Sequence, residues 1–253
     1  MSRWVKTVRS ITFICAFYKN PGMMREQQRV WREYSRKAKP YFHVIMTDDG
    51  SPKHRALLCV EETGIASFRL YRTLVDCRWN WLFCRNLGVA NATTDWVLLT
   101  DIDHVLPEFT LRRLIEQELD DECVYRFSRK DAPKLTDYKP HPNTWFMTRA
   151  MFDRIGGYDE RFSGFYGSDG EFRDRVTSTA KAVILRSDYL IRYPREVIQD
   201  ASTTSYGRKE PQDGENIPRI KAERSLIPDW RPLRLTFPYE LQYDSREAAC
   251  SRS

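Results

Sequence analysis

The sequence predicts an α/β domain with a mostly parallel central sheet and helices on both faces. Three observations predict it: short apolar runs alternate with segments of helical periodicity, the apolar runs are rich in aromatic and β-branched residues, and two of them end in acidic turns. The 253 residues are 41% hydrophobic and 13% aromatic, enough for a sizeable core, which excludes a disordered chain.

The first strand is Ile11–Phe17 (ITFICAF), closed by the turn Asn20-Pro21-Gly22. The run is too short to span a bilayer and lacks a small-residue cleavage site after it, so it reads as a strand and not as a signal or anchor. A helix follows to Pro40. In it Arg25, Arg29, Arg32, Arg36 and Lys39 recur every three or four residues, which on one continuous helix makes a basic stripe opposite Met24, Trp31, Tyr34 and Ala38. Residues 1–40 hold ten Lys or Arg against two Glu, more than the whole chain's net +6. Such a stripe is either a solvated face or a surface for a polyanion, nucleic-acid backbone or anionic headgroups.

A second strand over 41–47 runs into Asp48-Asp49-Gly50, and a third is expected near 68–74. Residues 79–92 have helical periodicity, and 96–102 form a fully buried strand that ends in Asp101 and Asp103 with His104 beside them. Further on come a helix over 107–119, a strand over 122–128, and a strand joined to a short helix within 143–162 that Gly156-Gly157 terminates. A helix from Ser168-Asp169 to about Ala180 and a strand over 181–194 close the domain, taken as 1–199. Residues 200–253, rich in Pro and in balanced charge, read as an extended, partly mobile C-terminal tail packing on the domain. The six cysteines are scattered without a C-x-x-C pair and read as reduced thiols in a cytoplasm-like compartment, against a zinc site.

In parallel sheets ligands bind beyond the carboxyl ends of the strands. Asp48 and Asp49 close one strand and Asp101 and Asp103 another, so four carboxylates are expected on one rim. Two carboxylates held one residue apart repel unless a cation lies beside them. Oxygen donors suit a hard divalent ion, Mg²⁺ or Mn²⁺, which keeps waters and bridges substrate phosphates. The alternative is a pair of loop-capping aspartates.

Three segments, in order, resemble the GT-A fold glycosyltransferases, close in pattern to family 2 of inverting sugar-nucleotide transferases. VIMTDDGSP resembles the second-strand aspartate motif, CRNLGVANATTDWVLLTDIDHVLP the DxD segment, and GGYDERFSGFYGSDGEFRDRV the late segment that carries the base. The resemblance implies a nucleotide-sugar donor, a UDP-sugar first, bound by Ala16 with Asp48 or Asp49 at the base, Arg85 and Asp101 toward the diphosphate, and Asp101 with Asp103 on the metal. It implies Asp169 as the catalytic base, with Glu171 able to share that work because Ser168 stands where the family has glutamate. Gly164 and Gly167 would let the acceptor loop flex, and Trp145 and Phe165 are candidate acceptor-stacking residues, with core packing the alternative for Trp145. The acceptor is left open between a glycan or lipid-linked glycan, a hydroxymethylated DNA base and a protein, the DNA base suggesting a viral DNA-modifying enzyme in a host cytoplasm, with Arg25, Arg29, Arg32 and Arg36 as docking surface. Two other function classes stay in view: a nucleotidyltransferase of similar fold and a catalytically silent polyanion-binding module.

Overall fold

A computed structural model describes residues 8–165, 167–202 and 216–250. In chain order the first half is β1 (Ile11–Phe17), α1 (Pro21–Glu33), β2 (Phe42–Asp48), β3 (Ser67–Thr73), α2 (Trp81–Asn91), β4 (Trp96–Leu99), β5 (His104–Val105) and α3 (Glu108–Glu116). There follow β6 (Cys123–Asp131), β7 (Thr136–Tyr138), β8 (Trp145–Thr148), α4 (Arg149–Ile155), α5 (Asp169–Thr179), β9 (Lys181–Arg192), α6 (Asn216–Ser225), β10 (Tyr239–Asp244) and α7 (Ser245–Cys250).

One sheet runs through the molecule in the order β10-β3-β2-β1-β4-β8-β6-β9-β5, with β7 on β6. The β3-β2-β1-β4 block is parallel throughout, as the alternating apolar runs require. Beyond it the sheet becomes mixed: β8 is antiparallel to both β4 and β6, whereas β6 and β9 are parallel. The tail contributes to the same sheet, because β10 lies antiparallel on the outer edge of β3.

Two apolar layers cover the faces. On one, Phe13, Trp31, Phe42 and Phe68 pack ring against ring at 5.7–6.2 Å. On the other, α2 lies so close to β1 that a Cβ at Gly88 would fall 2.3 Å from Ile14 Cγ2, so only glycine fits there. Gly156, at φ 96°, caps α4, its N–H returning to the Phe152 and Asp153 carbonyls.

The expected basic stripe does not form along one helix. Helix α1 stops at Glu33, because Tyr34 turns to ψ 142° and enters the core, where its ring meets Phe42 at 5.2 Å and its hydroxyl donates to the Leu106 carbonyl. Arg36 and Lys39 therefore lie beyond the helix, Arg29 is paired with Glu26 at 2.8 Å and Glu33 at 2.6 Å, and Arg32 is paired with Glu61. Carboxylates thus neutralise the middle of the stripe. The cysteines at 15, 59, 77, 84 and 123 are all free thiols. Among the described residues no helix is long and apolar enough to cross a membrane.

Candidate active site

A cleft of about 350 Å³ opens beyond the carboxyl ends of β1, β2 and β4. Ala16, Asp49, Asp101 and Asp103 line its sheet side, and Phe165 and Asp169 close it from the segment that enters α5. The parallel block produces this convergence, since adjacent strands running the same way end on the same rim.

Asp101 is the most constrained of these carboxylates. Arg85, one turn into α2 and wholly buried, reaches Asp101 Oδ1 through Nη2 at 2.6 Å. Its Nη1 donates to the Asn143 carbonyl at 2.7 Å and to Tyr158 Oη at 3.0 Å, while the guanidinium lies 4.8 Å from the Trp81 ring. From the other side His141 Nε2 approaches Asp101 Oδ2 at 3.3 Å. Burial alone would raise the Asp101 carboxyl, but Arg85 and then His141 outweigh it and hold it well below the usual carboxylate range. Burial pushes the His141 imidazole below its ordinary value despite Asp101.

Asp103 is held differently. Its Oδ1 meets His104 Nδ1 at 2.7 Å, and His104 Nε2 faces Arg129 Nη1 at 3.2 Å. Arginine only donates, so Nε2 is the acceptor and the ring proton sits on Nδ1, donated to Asp103. The backbone on either side of Asp103 is pinned by buried Gln27 of α1, whose Nε2 donates to the carbonyls of Ile102 and His104, both at 2.8 Å. The His104 and His141 rings pack at 4.3 Å, so the two arms of the D-x-D turn share one aromatic contact.

The β2 aspartates separate in role. Asp48 is fully buried and folds its carboxylate onto its own loop, accepting from Ser51 N at 2.8 Å and Ala56 N at 3.0 Å. That is an Asx-type loop cap. Asp49 lines the cleft and accepts from Asn80 N at 3.1 Å, tying the β2 turn to the start of α2.

Asp169 and Glu171 also face different ways. Asp169 is the first residue of α5, at the positive end of the helix dipole, and lines the cleft. Among the described residues no hydrogen-bond donor or cation holds its carboxylate. Glu171 is buried away from the cleft, with Arg175 Nε on Oε1 at 2.7 Å, Arg175 Nη2 on Oε2 at 2.6 Å, and Arg224 of α6 also on Oε1.

Of the residues singled out in the sequence, the structure therefore brings Ala16, Asp49, Asp101, Asp103, Phe165 and Asp169 to one cleft, with Arg85 beneath it. Asp48, Glu171 and Trp145 lie elsewhere, Trp145 being buried against Phe172 and Arg126. Sequence reasoning missed Trp79, Trp81, His141 and Gln27. The only available signal was the tryptophan density at RWNW before α2; nothing marked His141 in a polar KPHPN stretch.

The donor set fits a divalent ion that brings most of its own oxygen ligands. Among the described residues no group of three or more His, Cys, Asp or Glu is arranged to hold a metal. Each Asp101 oxygen already carries one partner, Arg85 or His141, and Asp103 Oδ1 carries His104, so Asp103 Oδ2 is the more open oxygen of the pair. One carboxylate with waters and substrate phosphates is a usual Mg²⁺ arrangement, so the residues fit an ion that arrives with a diphosphate.

No protein-family model matches the chain, and no curated protein matches it in sequence. Solved structures match it in fold. Residues 1–349 of S. aureus TarS in complex with UDP-GlcNAc superpose with a TM-score of 0.64 at 16% identity, covering 88% of this chain and 68% of that one. A second structure of the same TarS fragment gives a TM-score of 0.58 at 15% identity, covering 76% and 63%. The present chain thus spans about two thirds of the TarS fragment, and the likeness is one of fold.

Proposed function

We propose that the protein is a glycosyltransferase that moves a sugar from a UDP-sugar to an acceptor hydroxyl in a single displacement that inverts the anomeric centre. The observation that carries this reading is Asp169: a carboxylate at a helix N-terminus, open to the cleft and held by no donor or cation among the described residues, beside the Asp101–Asp103 turn. The fold shared with a protein crystallised with UDP-GlcNAc supports the donor class.

In this reading Ala16 and Asp49 take the nucleoside and Asp103 orients the diphosphate. Asp101, fixed by Arg85 and His141, shapes the floor under the sugar. Asp103 would hold Mn²⁺ or Mg²⁺, which would supply positive charge toward the departing diphosphate. The Asp169 carboxylate accepts the acceptor's hydroxyl proton as that oxygen bonds to the anomeric carbon. The bond from that carbon to the phosphate oxygen breaks, and its electron pair leaves with UDP. Trp79, Trp81 and Phe165 give the cleft aromatic faces suited to a sugar ring, which favours a glycan hydroxyl as acceptor. The partial neutralisation of the α1 arginines weakens the case for a DNA acceptor.

The test is to incubate the protein with UDP-sugars and Mn²⁺ and identify the nucleotide released. UDP is expected, and Asp169→Asn should cut its release by about 10²–10⁴-fold with the fold intact. Release of inorganic diphosphate would mark a nucleotidyltransferase, and near-parental turnover by Asp169→Asn would remove Asp169 as the base.

A further inference from the structure

Glu171 lies two residues past Asp169, is 2% exposed, and faces away from the cleft, yet two arginines converge on its carboxylate. Arg175 fills both its oxygens and, through Nη1, also donates to the Ile155 carbonyl at 2.7 Å, tying α5 to the end of α4. The remaining partner, Arg224, comes from α6, more than fifty residues further along the chain. Helix α6 grips α5 a second time through Lys221 and Asp174 at 3.2 Å. Its Ile217 Cδ1 lies 3.8 Å from where a Gly167 Cβ would stand, so α6 also covers the turn into Asp169. Trp230 then braces the arginines from outside, its ring 4.4 Å from Arg224, 5.1 Å from Arg161 and 5.9 Å from Arg175.

The turn needs such bracing. Gly167, at φ 86°, gives the backbone little intrinsic preference, and Ser168 supplies no side-chain cap to α5. Backbone bonds from Gly170 N to Gly167 O at 3.1 Å and from Glu171 N to Ser168 O at 3.3 Å close the first turn of α5, and the Glu171 anchor holds that turn from its far side against α4 and α6. Because successive helical residues move as a unit, an anchor at Glu171 restrains the Cα–Cβ direction of Asp169.

We infer that Glu171 is a positioning residue for the base, and that the C-terminal arm around Arg224 and Trp230 is a splint that holds Asp169 aimed into the cleft. The inference rests on the reading of Asp169 as the base. A cleft carboxylate must be held close to the productive geometry for proton transfer to count, and a small misplacement lowers turnover without weakening donor binding.

The test compares the parent with Arg224→Ala and Arg224→Lys, chosen because Arg224 is on the outer helix and Arg175 stays on Glu171. Hydrogen exchange at the Gly170 and Glu171 amides and steady-state turnover of a UDP-sugar are measured side by side. For Arg224→Ala we expect exchange at least tenfold faster at those amides, kcat at least tenfold lower, and donor KM within twofold of the parent. Arg224→Lys, which keeps the charge, should restore most of kcat. Unchanged exchange would overturn the splint, and so would faster exchange with unchanged kcat or a joint collapse of kcat and KM that Arg224→Lys fails to reverse. A parent that turns over no UDP-sugar would count against the glycosyltransferase reading alone, because the exchange result still decides whether the arm holds the turn.

Discussion

Replacing Arg85 with methionine separates two uses of a guanidinium in this site. In the family resemblance an arginine at this position reaches the diphosphate; in the structure it is wholly buried beneath Asp101. Methionine keeps the stem against Trp81 and Tyr158 but removes three donated hydrogen bonds, to Asp101 Oδ1, the Asn143 carbonyl and Tyr158 Oη. Breaking a buried ion pair by deleting one partner typically costs about 3–5 kcal/mol. The Asp101 side chain is 43% exposed, so water can take over part of its charge, which places the expected loss at the lower end, about 3 kcal/mol. For a chain of this size that corresponds to a fall of roughly 10 °C in Tm. Urea unfolding followed by circular dichroism measures it, with an unchanged slope as the sign that the transition is still two-state. A loss below about 1 kcal/mol, combined with a raised KM for the UDP-sugar, would refute the argument, because that is the outcome for a guanidinium that serves the ligand and not the floor of the cleft.

Two further outcomes are expected. Glu160 is buried and accepts from Asn86 Nδ2 at 2.7 Å, Leu235 N at 2.7 Å, Thr236 N at 2.8 Å and Thr236 Oγ1 at 2.6 Å, so Glu160→Ala should destabilise the protein by about 3 kcal/mol and speed proteolysis after Leu233; an unchanged urea midpoint would show that the arm docks without it. Burial, with Arg69 and Arg246 adding to it, pushes the His43 imidazole below its ordinary 6.5. The folded state therefore resists a proton that the unfolded chain accepts, stability is complete above about pH 6.5 and declines as pH falls below it, and His43→Gln should flatten the decline of Tm between pH 7.5 and 5.5; an identical slope would contradict this. His141, lowered in the same direction, adds to the same slope.

The strands of the parallel block were legible because each is a short apolar run between polar turns: ITFICAF is β1 residue for residue, whereas the strand expected over 96–102 stops at Leu99, and the short or polar β5, β7 and β10 carried no such pattern. Helix α5 and the glycine cap of α4 were legible for the same reason, a local pattern with a local cause. What stayed hidden depends on partners distant in sequence. Arg85 is expected from the resemblance to reach the diphosphate, and only the fold shows Tyr158 and Asn143 closing around it. Gln27 reads as part of a polar helix face, and only the fold brings it under the turn at Asp103. The stripe of arginines had the right spacing for a longer helix, but the burial of Tyr34 ends α1 first, an override that helical spacing cannot reveal. Polar or charged in one dimension, these residues owe their roles to burial.

The same reasoning explains how an apolar strand can end in two carboxylates. Repulsion between Asp101 and Asp103 is relieved separately, one side chain drawn down by a buried guanidinium and the other turned toward an imidazole whose proton it accepts. The pair is therefore asymmetric: Asp101 is held by a guanidinium on one oxygen and an imidazole on the other and walls the cleft, while Asp103 accepts from His104 through one oxygen. That division requires two different buried partners, Arg85 from α2 and His104 backed by Arg129 from β6, and neither is near the other in sequence. An isolated D-x-D turn lacking them would bind a divalent ion with both carboxylates or cap its own loop. Here the surrounding fold holds one carboxylate from both sides and leaves the other facing the cleft through its second oxygen, the division that the proposed function draws on.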